Sequence, residues 1–375
     1  MASDEHSADE LDEDDDSQRR FLHLLETAES APTAAPAAQS GSPSGTRAHP
    51  FARLTPDFLL AALESVGFRG DGRLLALNSY ENRVWQIGMD EGPPVIAKFY
   101  RPDRWSRAQI LEEHTFAFDL CAEEVPVVAP LGSPDGGSLH AFEGFQFAVF
   151  PRRGGRAPEL DRGGVLERMG YFLGRLHAVG AKRSFLVRPA ISVEEFGIEP
   201  RRFLLESGMI PDSLQAAWAE IALQALDAVA SAWARAAGST PWLRLHGDCH
   251  PGNVLWTDTG PHFVDLDDAR SGPAIQDLWM LLSGSRAEQQ AQLAEILRGY
   301  EAFRAFDPLE LVLVEALRTL RLLHYSAWIA RRWDDPAFPH SFPWFGSLHY
   351  WQDRILELRE QVGAMLEPPL GAPRR

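Results

Sequence analysis

Lysine is almost missing from this chain: of 36 basic residues only Lys98 and Lys182 are lysines. A lysine that does chemistry is therefore easy to nominate. Cysteine is as scarce. Cys121 and Cys249 cannot build a disulfide framework, and a reducing compartment, the cytoplasm, is the expected home. No secretory leader is evident, and no apolar run approaches the ~20 residues that a membrane-spanning helix requires. Positive charge is also in deficit. The net charge of −17 argues against nucleic acid or an anionic membrane as partner. Nine acids between Asp4 and Asp16 supply much of that charge, so the body of the chain is only moderately acidic. Internal repeats are not evident. With 375 residues, 45% of them hydrophobic, the chain is long enough for two lobes around a substantial core.

What is present is a chemical stretch, Leu245-His246-Gly247-Asp248-Cys249-His250-Pro251-Gly252-Asn253-Val254-Leu255-Trp256. Pro251-Gly252 forbid a helix, so Asp248 and Asn253 sit on a loop. Val254-Leu255-Trp256 and His262-Phe263-Val264 read as two short strands about the turn Asp258-Thr259-Gly260-Pro261, with Asp265 at the far end. Asp248, Asn253 and Asp265 can then converge at one mouth of a hairpin. Two acids and an amide oxygen suit a hard cation such as Mg²⁺, and one carboxylate can be left to orient a hydroxyl nucleophile. Phosphoryl transfer from ATP needs these parts.

Upstream, residues 1–50 combine the acidic run with a Pro/Ala/Ser/Gly tract and read as a disordered tail. The folded part is expected to begin with a helix capped by Thr55, with Pro56 in its first turn. Leu74-Leu75-Ala76-Leu77, a turn at Asn78-Ser79-Tyr80-Glu81-Asn82, and Arg83-Val84-Trp85-Gln86-Ile87 read as strand, turn, strand. No G-x-G-x-x-G stands at this place, so the turn's amides, helped by the Ser79 hydroxyl, would have to cradle phosphates. An ordinary hairpin turn is the competing reading. Pro94-Val95-Ile96-Ala97-Lys98-Phe99-Tyr100 is a strand with one embedded charge, and its position nominates Lys98 as the ATP-phosphate lysine. A helix over 104–124 carries Glu112 and Glu113, of which Glu113 is expected to pair with Lys98. Val125-Pro126-Val127-Val128-Ala129-Pro130, a β-rich stretch near 139–142, and Phe145-Gln146-Phe147-Ala148-Val149-Phe150-Pro151 complete a five-stranded sheet, with Phe150-Pro151 as the hinge. Beyond it helices are expected over 164–179, 210–237, 277–282, 287–303, 308–332 and 348–366.

The order H-G-D-x-H-x-x-N, then hydrophobic-D-x-D, resembles the aminoglycoside-phosphotransferase and choline-kinase group, which shares the protein-kinase fold. Within that group, several further stretches are similar to the stress response kinase A family of bacterial serine/threonine protein kinases. They include Leu77-Asn78-Ser79-Tyr80-Glu81-Asn82-Arg83-Val84, Ala97-Lys98-Phe99-Tyr100-Arg101-Pro102, Ile110-Leu111-Glu112-Glu113-His114, Gly272-Pro273-Ala274-Ile275-Gln276-Asp277 and Arg331-Arg332-Trp333. The likeness covers about residues 52–370. It implies an α+β bilobal fold: a nucleotide-binding lobe over 51–151, with a five-stranded antiparallel sheet and one helix, and a mainly α-helical lobe over 152–375. It also implies Mg²⁺- and ATP-dependent phosphorylation of protein Ser/Thr, autophosphorylation and a role in stress; a monomer is expected. By position, Asp248 is the catalytic residue, Asn253 and Asp265 hold Mg²⁺, and Ser79 contacts ATP.

Other readings stay open. The same parts could phosphorylate a small alcohol, such as an amino alcohol or homoserine. A silent binding module has no need of the whole set Lys98, Glu113, Asp248, Asn253 and Asp265. A zinc pair at His246 and His250 would need a helix that Pro251 denies. Cys249 is either an oxidation sensor or an inert loop thiol. Asp277 opens an apolar segment, and the kinase resemblance implies that it accepts backbone N–H groups from the His246-Gly247-Asp248 turn.

Overall fold

The computed structural model describes residues 49–134, 136–236 and 241–371. The expected acidic tail, all but its last two residues, lies outside the described residues.

A short helix, α1 (Pro56–Glu64), leads in. Thr55 caps it by accepting from the Phe58 N–H, with Pro56 in the first turn, as the sequence predicts. Five strands follow: β1 (Gly70–Leu77), β2 (Arg83–Met89), β3 (Val95–Phe99), β4 (His140–Phe142) and β5 (Phe145–Pro151). They form one antiparallel sheet in the order β1-β2-β3-β5-β4. Helix α2 (Arg107–Ala122) crosses between β3 and β4, opened by a Ser106/Gln109 capping box.

Alternation decides the two faces of this sheet. On β3, Val95, Ala97 and Phe99 point into an aromatic-rich core with Leu59, Leu63, Phe145 and Phe147. Ile96 and Lys98 point the other way, into a cleft. Phe99 and Phe147 stack across neighbouring strands at 5.1 Å between ring centres. The 125–130 stretch is not a strand of this sheet. Val127 makes only an isolated parallel bridge to Phe263, because Pro126 and Pro130 cannot donate to a ladder.

The remainder is mainly helical: α3 (Val165–Gly180), α4 (Glu199–Glu206), α5 (Asp212–Ala236), α6 (Ile275–Trp279), α7 (Arg286–Tyr300), α8 (Val314–Ala330), α9 (Ala337–Ser341) and α10 (Leu348–Leu366). The predicted helix over 308–332 begins as a 3-10 turn, Pro308–Leu313, before α8 takes over. The predicted helix at 277–282 is the single short α6. Two small β ribbons lie among the helices. One pairs β6 (Leu243–Leu245) with β9 (Arg270–Gly272), and the other is the hairpin of β7 (Val254–Thr257) and β8 (Gly260–Phe263). The α+β, two-lobed architecture expected from the sequence is the one observed, and a cleft of about 660 Å³ runs between sheet and helices.

Candidate active site

β6 and β9 pair with Leu245 opposite Arg270, so the loop leaving β6 (246–253) and the loop entering β9 (264–269) start side by side. Cross-bonds hold the two loops together. Val264 N–H donates to the Asn253 carbonyl at 3.0 Å, and the His246 ring meets the Val264 carbonyl at 2.8 Å. His246 thus packs and bonds beneath the loop, and the zinc reading of His246 and His250 has no support. Gly247 has φ +87°, and a Cβ there would lie 2.1 Å from the Asp268 carbonyl oxygen. Only glycine passes between the loops at this point.

Asp277 is the post on which the first loop hangs. Its carboxylate accepts the His246 and Gly247 N–H groups, each at 2.8 Å, and lies 3.1 Å from His177 Nε2, all of it fully buried. The predicted anchoring is what the structure places here.

The loops bring Asp248, Asn253 and Asp265 to the wall of the cleft. The Asn253 amide nitrogen donates to the Asp248 carbonyl at 3.0 Å. Asp265 holds left-handed backbone angles, φ 59° and ψ 65°. Non-glycine residues seldom occupy that region, and Asp is among those that tolerate it. Burial pushes the Asp248 carboxyl up, but the Arg321 guanidinium at 2.6 Å and the His250 ring at 3.5 Å outweigh it and hold the carboxyl well below its usual range. Cys249 is fully buried, and burial drives its thiol well up, so it is the inert loop thiol and not a ready thiolate.

Lys98 reaches across from β3. Its ammonium lies 2.6 Å from Asp265 and 3.1 Å from Asp267. Burial alone would lower its pKa, but Asp265 and Asp267 carry it well above the usual value, so the lysine stays charged. The expected direct pair with Glu113 is not formed. Glu113 is bound by Arg188 at 2.6 Å instead. The reason is competition: two carboxylates of the second loop claim the ammonium, and the planar guanidinium of Arg188 reaches Glu113 from the other side. Burial lifts the Glu113 carboxyl to about 7 against the pull of Arg188 and Lys98. Arg188 also donates to the carbonyls of Asp267 and Ala269, at 2.7 and 3.0 Å, tying α2 to the Asp265 loop. Glu112 is no idle solvated acid, since it accepts the N–H groups of Val187 and Arg188 at 3.0 and 2.7 Å.

The 78–82 turn closes the cleft from above, and Ser79 lines it. Asn82 donates to Asp267 at 3.1 Å and accepts the Arg101 N–H at 3.0 Å. Glu81 pairs with Arg101 at 3.1 Å and with Arg332, just beyond α8, at 2.6 Å. Asp335 receives Arg83 at 2.9 Å and Arg101 at 2.8 Å. Tyr80 packs on Phe342 of the segment after α9 at 5.1 Å. Asp267 is shared by Lys98, Asn82 and Arg104, and burial, which raises its carboxyl, is overcome by the charges of Arg104, Lys98 and Arg188, which hold it far below the usual range.

Residues 73–312 match the sequence profile of the Phosphotransferase enzyme family (APH). The chain belongs to this family. It is also 48% identical over 320 residues to Stress response kinase A of Escherichia coli K12, covering 85% of this chain and 96% of that one. The same extent and identity link it to the Serine/threonine protein kinase RdoA of Salmonella typhimurium. It thus stands among the stress response kinase A relatives and is a phosphotransferase. Among solved structures, an aminopropanol kinase associated with a microcompartment superposes with TM-score 0.65 at 18% identity, over 82% of this chain and 98% of that one. An amicoumacin kinase does so with TM-score 0.64 at 18% identity, over 84% and 95%. At that identity the likeness speaks for the fold alone.

Arg188, Arg321, Arg104 and Asp335 are the site residues the sequence left unassigned. Asp267 and Arg332 stood inside stretches noted for their resemblance, which was the available signal for them. Arg188 and Arg321 lie in segments with no local signature.

Proposed function

We propose that the chain transfers the γ-phosphoryl group of ATP to Ser and Thr hydroxyls of proteins, its own included, in a stress response. The observation that carries the transfer chemistry is the convergence of Lys98, Asp248, Asn253 and Asp265 on one cleft. Protein as acceptor is supported by the near-half identity, along almost the whole chain, to a relative named as a serine/threonine protein kinase.

Asp265 and Asn253 would hold Mg²⁺. An acid and an amide make an incomplete oxygen shell, which suits a cation that arrives already bound to phosphates and water. Among the described residues no group of three or more His, Cys, Asp or Glu is placed to hold a metal by itself, in keeping with that shared shell. When bound, Mg²⁺ neutralises phosphate charge and aligns the β- and γ-phosphates.

The chain's own groups then do the following. Lys98 binds phosphate oxygens from the sheet side, and Ser79 with the 78–82 turn covers them. Glu113, through Arg188, is a positioning residue that sets the Asp265 loop against α2. Asp248 orients the acceptor hydroxyl and takes its proton. The hydroxyl oxygen bonds to the γ-phosphorus as the bond from that phosphorus to the β–γ bridging oxygen breaks, and ADP leaves with the electron pair. We assign nucleotide binding to 51–151 and acceptor binding with the catalytic loop to 152–375, in a cytoplasmic monomer. No helix among the described residues is long and apolar enough to cross a membrane.

Calorimetric titration of two variants tests the roles. Asp248→Asn should keep near-normal Mg·ATP affinity while kcat falls about 10²–10⁴-fold, the range for losing a general base. Asp265→Asn should weaken binding of Mg·ATP more than of metal-free ATP. The reverse pattern would exchange the two assignments. Label from γ-labelled ATP appearing on small alcohols and on no protein would sink the protein acceptor.

A further inference from the structure

One wall of the cleft is a single face of α8. Leu317, Leu320, Arg321, His324, Tyr325 and Trp328 line it at helical spacing. Arg321 stands on that face with its guanidinium 2.6 Å from Asp248, on the proposed acceptor side of the catalytic loop. Beside it, His324 Nδ1 and Tyr325 Oη are buried polar atoms without a hydrogen-bond partner among the described residues. Both atoms are placed to meet a polar group that enters the cleft.

The charge balance of the cleft is more telling. Six carboxylates line it, and every one is in an ion pair. Glu81 is held by Arg101 and Arg332, Glu113 by Arg188, Asp248 by Arg321, Asp265 by Lys98, Asp267 by Lys98 and Arg104, and Asp268 by Arg104 and Arg270. An acceptor that carries an ammonium group next to its hydroxyl would have to displace a resident cation to find a partner. An acceptor that carries a carboxylate can take the Arg321 guanidinium in exchange for Asp248, and that exchange frees the oxygen the hydroxyl needs.

We propose that Arg321 and its face of α8 form the acceptor subsite and select Ser or Thr hydroxyls flanked by an acidic side chain. The inference rests on the protein-kinase reading and narrows it to acidic segments. As such a segment docks, the guanidinium turns from Asp248 to the segment's carboxylate, and the released Asp248 oxygen accepts the hydroxyl hydrogen bond. The hydroxyl proton then passes to Asp248 as the oxygen–phosphorus bond forms and the bond to the ADP oxygen breaks. Arg321 thereby works as a latch on the base and as the counter-ion that a correct acceptor must supply a reason to leave.

The test uses the full chain with Mg·ATP and three synthetic peptides that differ only in the residues flanking one Ser: Asp, Ala or Lys. A fourth and a fifth acceptor, glycerate and 3-amino-1-propanol, stand for a hydroxy acid and an amino alcohol. The readout is the ratio of kcat/KM between acidic and basic acceptors, with Mg·ATP affinity and urea unfolding measured for every variant to show that each is folded. The wild type should favour the Asp peptide over the Lys peptide by about tenfold or more, carried mainly in KM. Arg321→Lys should keep the sign of the preference, and Arg321→Glu should invert it, whatever either does to the overall rate. Equal rates on both peptides, or a preference that Arg321→Glu leaves unchanged, would overturn the inference while leaving the protein-kinase reading in place. Transfer to 3-amino-1-propanol and to no peptide would overturn both. Transfer to glycerate and to no peptide would support charge selection by Arg321 and overturn the protein acceptor.

Discussion

Replacing Asp277 separates an anchor from a catalyst, and the structure sets the size of the effect. Its carboxylate satisfies two buried backbone N–H groups, of His246 and Gly247, and meets His177 as well. Asp277→Ala leaves all three without that partner in a fully buried place. At about 1–3 kcal/mol for each of these three buried groups left unpaired, the loss of stability should reach about 3–9 kcal/mol. Asp277→Asn is milder. An asparagine oxygen can keep one N–H, but its amide nitrogen must then face another donor. About 2–4 kcal/mol is expected, from one orphaned donor and the lost charge assistance. Urea unfolding followed by circular dichroism gives the stability, and phosphoryl transfer is measured on the same samples. Activity should fall in step with the folded fraction, because the 246–248 backbone that carries Asp248 loosens as the anchor goes. An Asp277→Asn chain that unfolds at the wild-type urea concentration yet transfers no phosphate would refute the anchor and move Asp277 into the chemistry.

Two further outcomes are expected. Lys98→Ala should raise the KM for ATP and lower kcat together if, as proposed, its ammonium fixes the phosphates; wild-type kinetics in that variant would remove Lys98 from the site. Glu310 is buried and accepts the Ile275 N–H at 2.7 Å, and burial, against that hydrogen bond, lifts its carboxyl from the ordinary 4.5 to about 7. Between those values the folded chain holds a proton that the unfolded chain has released, so this group's contribution to stability is lost as pH rises from about 4.5 to 7. Glu310→Gln should lack that loss, so the wild-type chain should decline relative to the variant by about 2–3 kcal/mol between pH 5 and pH 7.5 in urea titrations. Parallel curves for the two chains would show that the Glu310 carboxyl is ionised throughout.

What the sequence made legible was chemistry written in one continuous stretch. Asp248 and Asn253 share a loop that proline and glycine keep open, and Asp265 ends the hairpin that follows, so their convergence needed only a turn and two strands. Asp277 was legible by another route, since its anchoring of the turn is what the kinase resemblance implied. The alternation around Lys98 gave its direction, because a charge in a strand takes the side of the sheet facing away from the apolar core. The partners of these residues were not legible. Arg188 meets Glu113 across 75 residues of chain, and Arg321 meets Asp248 across 73. No local periodicity reports such distances. The expected Lys98–Glu113 pair failed on the same ground. Which of several nearby acids a buried ammonium takes is settled by the packing of distant segments, and here the Asp265 loop arrived first. The 125–130 stretch shows a different limit. Its valines have the composition of a strand, but two prolines leave too few donors for one.

The 78–82 turn is fastened to the far side of the molecule by charges: Glu81 to Arg332, and Arg83 and Arg101 to Asp335. The two halves of the protein are consequently joined at both rims of the cleft, covalently through the chain after Pro151 and ionically at the opposite rim. Such a molecule behaves as a buckled strap more than as a jaw with one hinge. A jaw widens in proportion to the torque on it, whereas a buckle holds its width until several ions part at once and then releases. Widening the cleft at that rim therefore requires several largely buried ion pairs to part together.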